Sequence, residues 1–87
     1  MTYTVLWDVR AQQELASIWM NAGDARNLIR EAANSIDRAL AHDPEGVGES
    51  RTTDRRILIA SPLAVTYRVL QEDRVVRVFN IWQFKTR

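Results

Sequence analysis

The chain has 87 residues, of which 46% are hydrophobic and 26% are charged. This size and balance predict a single small globular domain over residues 1–87 and exclude general disorder. Because there is no cysteine and only one histidine, neither a disulfide framework nor a zinc site is expected, and no metal or cofactor is predicted. The sequence shows neither an apolar run of about 18 residues nor a signal-peptide pattern. These features predict a cytoplasmic protein that makes no membrane contact.

The charge is unevenly distributed along the chain. Residues 1–49 carry eight acidic and four basic side chains, whereas residues 50–87 carry three acidic and eight basic ones. A basic half of this kind can bind anions. The overall pI of about 8.3 is nevertheless below the value of about 9 that is typical of a dedicated nucleic-acid-binding domain.

The first half of the chain predicts a strand followed by two helices. Residues 2–7 are short, β-branched and aromatic, which is typical of a strand, and Asp8 is a suitable N-cap for a helix over 9–20. The apolar face of that helix includes Ala11, Leu15, Ile18 and Trp19. Gly23 is suited to the left-handed position that ends it.

The second helix is amphipathic over about five turns. Asp24 is its expected N-cap, and Pro44 is expected to end it. Its apolar side chains recur at three- and four-residue steps, at Ile29, Ala32, Ala33, Ile36 and Leu40. Because the connection between the helices is short, an antiparallel helical hairpin is expected.

The second half predicts a loop and three strands. The loop, over 43–54, contains proline and two glycines, and strands follow over 55–60, 63–71 and 74–82. The order β-α-α-β-β-β predicts an α+β fold, with the helical hairpin packed on one face of a small, mainly antiparallel sheet. Nothing in the sequence is left to cover the other face.

Alternation along the strands assigns some side chains to these two faces. In the strand over 63–71, Val65, Tyr67 and Val69 form the core set, which places Arg68 on the uncovered face. In the last strand, Arg77 belongs to a set that alternation assigns to neither face. One of Arg55 and Arg56 is expected to share the face of Arg68, and the pattern leaves both possibilities open.

The order of elements and the C-terminal hairpin resemble the RelE/ParE superfamily of bacterial type II toxins. The family pattern is a hydrophobic residue, valine, tyrosine, arginine or glutamine and valine, then an acidic turn and a valine-rich strand. The matching residues in this chain are Val65, Thr66, Tyr67, Arg68, Val69, Glu72, Asp73, Val75, Val76 and Val78. The resemblance extends over almost the whole chain and implies a single toxin domain.

The resemblance implies one of two activities and a protein partner. RelE-like members cut mRNA in the ribosome, whereas ParE-like members inhibit DNA gyrase, and both are neutralised by an antitoxin. The primary hypothesis is a growth-inhibiting, ribosome-dependent mRNA endonuclease. A gyrase inhibitor without nuclease activity and an inactive binding protein are the alternatives.

The resemblance fits the catalytic residues of the cutting toxins only in part. Ala64 lies where those toxins carry an arginine, and Gln83 and Phe84 lie near where they carry a terminal tyrosine or histidine. The residues that would carry an atypical catalytic set are Arg55, Arg56, Arg68 and Glu49, of which Glu49 is the proton acceptor. The residues predicted to bind a nucleic acid or another target are Arg51, Arg77, Lys85 and Trp82.

Overall fold

The computed structural model describes residues 2–51 and 54–84. The elements are β1 (Thr4–Trp7), α1 (Val9–Met20), a short 3-10 helix (Gly23–Ala25), α2 (Arg26–His42), β2 (Glu49–Ser50), β3 (Arg56–Ala60), β4 (Leu63–Leu70) and β5 (Val75–Gln83). The predicted order is confirmed, with one addition: the loop after α2 contains the two-residue strand β2, which sequence patterns did not indicate because it is too short to alternate.

The five strands form one sheet in the order β1-β5-β4-β3-β2. β1 runs parallel to β5, and every other neighbouring pair is antiparallel. Both helices pack on the same face of this sheet, and the other face carries no helix in the described part of the chain. The predicted α+β class, with a mainly antiparallel sheet, is therefore confirmed.

The core lies between the helices and the sheet. α2 contributes the apolar stripe that its sequence predicted, and Ile29, Ile36 and Leu40 are fully enclosed. The central strands β4 and β5 supply the opposing side chains, which include Val65, Tyr67, Val76 and Val78. Burying each large aliphatic side chain contributes about 1.5–3 kcal/mol, so this layer accounts for most of the favourable burial in a domain of this size.

The helix starts differ from the sequence prediction in their chemistry. Asp8 occupies the N-cap position of α1, but its carboxylate makes no capping bond to the helix. Asp24 is not a cap at all, since it lies in the short 3-10 helix and Ala25 precedes α2. Gly23 does adopt the left-handed conformation, with φ 56°, as predicted. The Asp8 carboxylate binds Arg77 instead of capping α1, and a 3-10 turn that contains Asp24 precedes α2 instead of a side-chain cap.

A β-bulge in β5 explains why alternation could not assign its faces. Tyr67 pairs with Val78, but the next residue along β4, Thr66, pairs with Asn80, so Phe79 has no partner on β4. The inserted residue shifts the alternation, because one extra residue exchanges the faces that follow it. As a result Val76 and Val78 face the core before the bulge and Ile81 faces it after the bulge.

Glu14 of α1 supports the strand just beyond this bulge. β1 ends at Trp7, opposite Val78, so in the described part of the chain no strand lies beside residues 79–83 on that edge of β5. The Glu14 carboxylate accepts a hydrogen bond from the Ile81 backbone N–H at 3.0 Å. A partly buried amide requires a hydrogen-bond acceptor. Because β1 is too short to provide one here, the side chain of Glu14 on α1 supplies it.

Candidate functional site on the open sheet face

We define the open face as the side of the sheet opposite the helices. Side chains that lie directly opposite each other on antiparallel strands point to the same side. Arg68 lies opposite Arg77, Thr66 opposite Ile57 and Asn80, and Ala64 opposite Ile59 and Trp82. Because Val65 and Tyr67 face the core, these alternate residues lie on the open face. The placement predicted for Arg68 is therefore observed, and Arg77 is assigned to the same face.

Three arginines form a cluster on this face, and two of them contact a carboxylate. Arg77 Nη2 donates to both oxygens of Asp8 at 2.9 and 3.1 Å, and its Nε donates to one of them at 3.2 Å. Arg68 Nε lies 4.0 Å from Asp54. Two like charges directly opposite each other on a sheet are destabilising. The two carboxylates offset this repulsion, and the Asp8 pair does so with the closer geometry.

Arg55 completes the arginine cluster in a different way. It precedes β3, and its guanidinium carbon lies 4.1 Å from the centre of the Phe79 ring on β5. The side chain therefore extends across β4 on the open face. Arg77 approaches the same ring at 5.6 Å. Within residues 2–51 and 54–84, Arg55 forms no salt bridge with a carboxylate.

Arg56, the neighbour of Arg55, lies on the other side of the sheet. Its Nη2 donates to the carbonyl oxygens of Glu45 at 2.6 Å and Gly48 at 2.7 Å, and its Nε donates to the Tyr67 hydroxyl at 3.3 Å. The structure thus separates two residues that the sequence grouped as candidate catalytic cations. Arg55 shares the open face with Arg68, whereas the donors of Arg56 hold the loop that follows α2.

Tyr67 is the buried residue that, together with Arg56, holds the loop that follows α2. Its hydroxyl donates to the Pro44 carbonyl oxygen at 2.6 Å, and the ring is fully buried, as predicted. Burial raises the pKa of Tyr67 above its ordinary value of 10.0, and the nearby Arg56 partly opposes that rise. Gly48 passes so close that a Cβ there would collide with the Tyr67 hydroxyl and lie 2.9 Å from the Ile57 carbonyl oxygen.

The predicted proton acceptor does not contact the arginine cluster. Glu49 lies on β2 and forms a salt bridge at 3.1 Å with Arg51, another predicted binding residue. β3 separates β2 from β4, so Glu49 and Arg68 are two strand spacings apart, or about 10 Å across the sheet. Lys85 lies outside the described residues. These positions leave Arg55, Arg68 and Arg77 as the cations that the structure brings together.

Beyond the polar pair of Thr66 and Asn80, the end of the open face away from the arginines is apolar. Ala64 lies between Ile59 and Trp82 and is only 2% exposed, whereas Ile59 is 59% and Trp82 40% exposed. Ala64 is the position at which the resemblance implied an arginine in cutting toxins. Two large side chains flank it here, so this part of the face offers apolar contact area rather than a charge.

A second surface lies between the two helices. A groove of about 490 Å³ separates part of α1 from α2, and its apolar lining includes Trp7, Leu15, Trp19, Ile29 and Ala33. Arg30 and Asp37 also line it, and Asp37 accepts a hydrogen bond from Trp7 Nε1 at 3.2 Å. Trp19, which the sequence places on the apolar face of α1, is 36% exposed, and the Arg26 guanidinium lies over its ring at 4.2 Å.

Sequence reasoning did not identify Asp8, Asp54 or Phe79 as members of the candidate site. Asp8 was interpreted as a helix cap, and the carboxylate partner of an arginine 69 residues away leaves no local pattern. Phe79 belongs to the alternating set of Arg77, which the sequence assigns to neither face, because the bulge arises only when β4 and β5 pair. In the described residues no cluster of histidine and acidic side chains suitable for a metal ion is present, and no helix there could span a membrane.

Comparisons with known proteins assign the fold. Neither protein-family models nor curated protein sequences give a match. Among solved structures, a chain of the toxin–antitoxin complex RelBE2 from Mycobacterium tuberculosis has a TM-score of 0.80 at 16% identity, covering 97% of this chain and 93% of that one. A chain of the chromosomal ParDE system from Pseudomonas aeruginosa has a TM-score of 0.76 at 15% identity, with coverages of 95% and 97%. The isolated Escherichia coli RelE toxin has a TM-score of 0.68 at 19% identity, with coverages of 98% and 87%.

These similarities establish that the chain has the fold of the RelE/ParE toxins. The resemblance stated from the C-terminal hairpin is thereby confirmed at the level of the fold. The similar structures include both a RelE and a ParDE system, so fold similarity alone does not select one activity.

Proposed function

We propose that the protein is the toxin of a type II toxin–antitoxin pair and acts on translation as a ribosome-dependent mRNA endonuclease. The observation that carries this proposal is the arginine cluster on the open face. The same face carries the exposed ring of Trp82, which lies opposite Ala64, about 13 Å along the strands from Arg68. Guanidinium groups bind phosphate oxygens, and aromatic rings stack on unpaired bases. The helices leave this face accessible, and single-stranded RNA offers both kinds of group.

The proposed reaction is attack of a ribose 2′-oxygen on the neighbouring phosphorus. The new P–O2′ bond forms as the P–O5′ bond breaks, which gives a 2′,3′-cyclic phosphate and a 5′-hydroxyl end. The 2′-hydroxyl gives its proton to Glu49 or to a solvent water, and the leaving 5′-oxygen takes a proton from solvent. Arg55 and Arg68 would stabilise the negative charge that develops on the phosphate oxygens. Glu49 would accept the proton only if the RNA or the β2 edge moved, since two strand spacings separate it from Arg68.

Controlled expression in bacteria tests this proposal. We expect growth arrest, a block in translation and new mRNA 5′ ends within codons at the ribosomal A site. Arg68→Ala should abolish the arrest, because it removes the central cation of the cluster. Arg38→Ala is the matched control, since Arg38 is exposed on α2 and belongs to neither surface. Growth arrest that persists with intact mRNA would overturn the nuclease proposal, and no arrest at all would favour an inactive binding protein.

A specific observation favours a second candidate, inhibition of DNA gyrase without cleavage. Among the described residues, no carboxylate, histidine or tyrosine lies free beside the arginine cluster to act as acid or base. Asp8 and Asp54 are bound to arginines, and the Tyr67 hydroxyl is committed to Pro44. In this case expression should induce the DNA-damage response, and the purified protein should inhibit supercoiling by gyrase while mRNA stays intact.

The proposed partner is a cognate antitoxin that occupies the groove between α1 and α2 with an amphipathic helix. Similar solved structures are toxin–antitoxin complexes, including RelBE from Pyrococcus horikoshii. Arg30 and Asp37 lie seven residues apart along the apolar groove, so a partner helix with an acidic residue near one and a basic residue near the other would match it. Ala16→Arg should fill the groove and weaken the complex with the product of a neighbouring antitoxin gene. Gln13→Arg, on α1 but outside the groove, should leave that complex intact.

A further inference from the structure

The three members of the arginine cluster are not equivalent, because their positive charges are offset to different extents. Arg77 is held by Asp8 through three hydrogen bonds. Arg68 has Asp54 at 4.0 Å, the limit of a salt bridge. Arg55 has no carboxylate within this range in the described part of the chain. An incoming anion would have to displace a carboxylate to reach Arg77, but it would meet Arg55 without such competition.

The contact with Phe79 leaves the hydrogen-bonding edge of Arg55 available. A guanidinium over an aromatic ring uses its face for the cation–π interaction, while its N–H donors lie in the guanidinium plane. The ring also restricts a long side chain that would otherwise lose rotamer freedom on binding. Phe79 is the extra residue of the β5 bulge, and bulges commonly re-aim a side chain next to a site.

We propose that Arg55 is the principal phosphate-binding residue of the open face for single-stranded RNA and that Phe79 is the residue that positions it. The inference rests on the proposed function for the choice of RNA as ligand. It goes further in ranking the arginines and in giving a role to an apolar residue that the sequence left unassigned. The observations that carry it are the bulge, the stacking distance and, within residues 2–51 and 54–84, the absence of a carboxylate partner for Arg55.

Binding of a fluorescently labelled single-stranded RNA to the purified protein, measured by anisotropy over a range of salt concentrations, tests the ranking. Each phosphate contact in single-stranded nucleic acid contributes about 0.7 to the slope of log affinity against log salt. Arg55→Ala should therefore lower the slope by about 0.7 and weaken binding more than Arg77→Ala does. Arg38→Ala should leave both unchanged. An unchanged slope in Arg55→Ala would overturn the proposal.

A double-mutant cycle tests the role of Phe79. Phe79→Leu keeps an apolar side chain but removes the ring, so we expect binding to weaken about two- to fivefold, the value of an exposed cation–π contact. Phe79→Tyr keeps the ring and should restore binding. In the Arg55→Ala background, Phe79→Leu should have no further effect. Additive losses, or full binding by Phe79→Leu, would show that Phe79 does not act through Arg55.

Two further measurements keep the test decisive. Urea unfolding checks that Phe79→Leu remains folded. If this variant unfolds, Arg55→Lys is used instead. A lysine keeps the positive charge and the salt slope, but it should bind less tightly because it lacks the planar guanidinium.

If the wild type cuts mRNA in cells and Arg55→Ala cuts equally well, this inference fails while the proposed function stands. If no translation block occurs but purified protein shows the Arg55–Phe79 coupling on RNA, the inference stands and the proposed function fails. Absence of RNA binding by the wild type at low salt would overturn the inference.

Discussion

Arg55 and Arg56 are adjacent in the chain, lie on opposite sides of the sheet and make different kinds of contact. Arg56 donates its hydrogen bonds to two backbone carbonyl oxygens and to a buried tyrosine hydroxyl. Arg55 rests on a phenylalanine ring, and its N–H edge makes no hydrogen bond to the described residues. Adjacent basic residues at the start of a strand point to opposite faces of the sheet, so only one of the two can belong to a site on a given face. One arginine stabilises the fold, and the other remains available to a ligand.

The largest expected effect is the loss of stability in Arg56→Ala. This change removes three hydrogen bonds and leaves the carbonyls of Glu45 and Gly48 without their donor, so the free energy of unfolding should fall by about 2–3 kcal/mol. Arg55→Ala should lie within about 0.5 kcal/mol of the wild type, as for an ordinary surface change. Urea unfolding of both variants measures the difference. Equal destabilisation by the two changes would show that Arg56 stabilises the fold no more than Arg55 does.

Gly48→Ala probes the same side of the sheet through packing. A methyl group there meets both the Tyr67 hydroxyl and the backbone of Ile57, so the loop must shift. We expect a loss of about 1–3 kcal/mol, the range for overpacking a well-filled site. Gly46→Ala is the matched control, because the atoms nearest its new methyl belong to the exposed Asp43 side chain, which can rotate away at the loss of one hydrogen bond to the Gly46 N–H. Urea unfolding measures both variants. Similar losses of stability in Gly48→Ala and Gly46→Ala would mean that the loop is not held tightly at Tyr67.

Tyr67→Phe should destabilise the protein by about 1–2 kcal/mol, since it leaves the Pro44 carbonyl oxygen without its donor. It should also change the pH dependence. The folded pKa of Tyr67 is raised, so above about pH 10 the unfolded state loses this proton while the folded state keeps it, and the stability of the wild type falls as pH rises. The variant should lack this contribution. Stability should be measured between pH 9 and 11, a range centred on the ordinary pKa of tyrosine. If the stability of Tyr67→Phe falls as steeply over this range as that of the wild type, Tyr67 is not the source of the pH dependence.

The smallest effects are expected among the carboxylates of the open face. Asp8→Asn keeps a good N-cap residue but removes the charge opposite Arg77, which should cost about 0.5–1 kcal/mol. Asp54→Asn should change stability by less than this, because its contact with Arg68 is long and exposed. Both should strengthen RNA binding if the open face carries the phosphate site. RNA binding that tightens in these two variants with little loss of stability would show that the open face serves a ligand, whereas the core side of the sheet stabilises the fold.

Several features followed from the sequence because they depend on local periodicity. The core stripe of α2 and the burial of Tyr67 are set by spacing within one element, and the structure confirms both. The open-face position of Arg68 also followed from alternation within β4, which has no interruption of its own. The order of strands and helices was enough to indicate an α+β fold.

The features that the sequence described only in part depend on contacts between elements that are distant in the chain. Asp8 has the composition of a helix cap, yet its carboxylate binds Arg77, because a bidentate contact with a guanidinium was available from β5. Trp19 has the spacing of a core residue, but the groove between the helices leaves it partly exposed. In each case the residue type predicted one partner, and the arrangement of elements supplied another.

Local patterns in the sequence indicate the two long helices, the four longer strands, the core stripe of α2 and the basic C-terminal half. Which arginines share the open face depends instead on contacts between elements: the pairing of β3 with β4 and the single inserted residue, Phe79, in β5. Because alternation has a period of two residues, one inserted residue exchanges the faces of a strand, and its position is fixed by the neighbouring strand rather than by any local pattern.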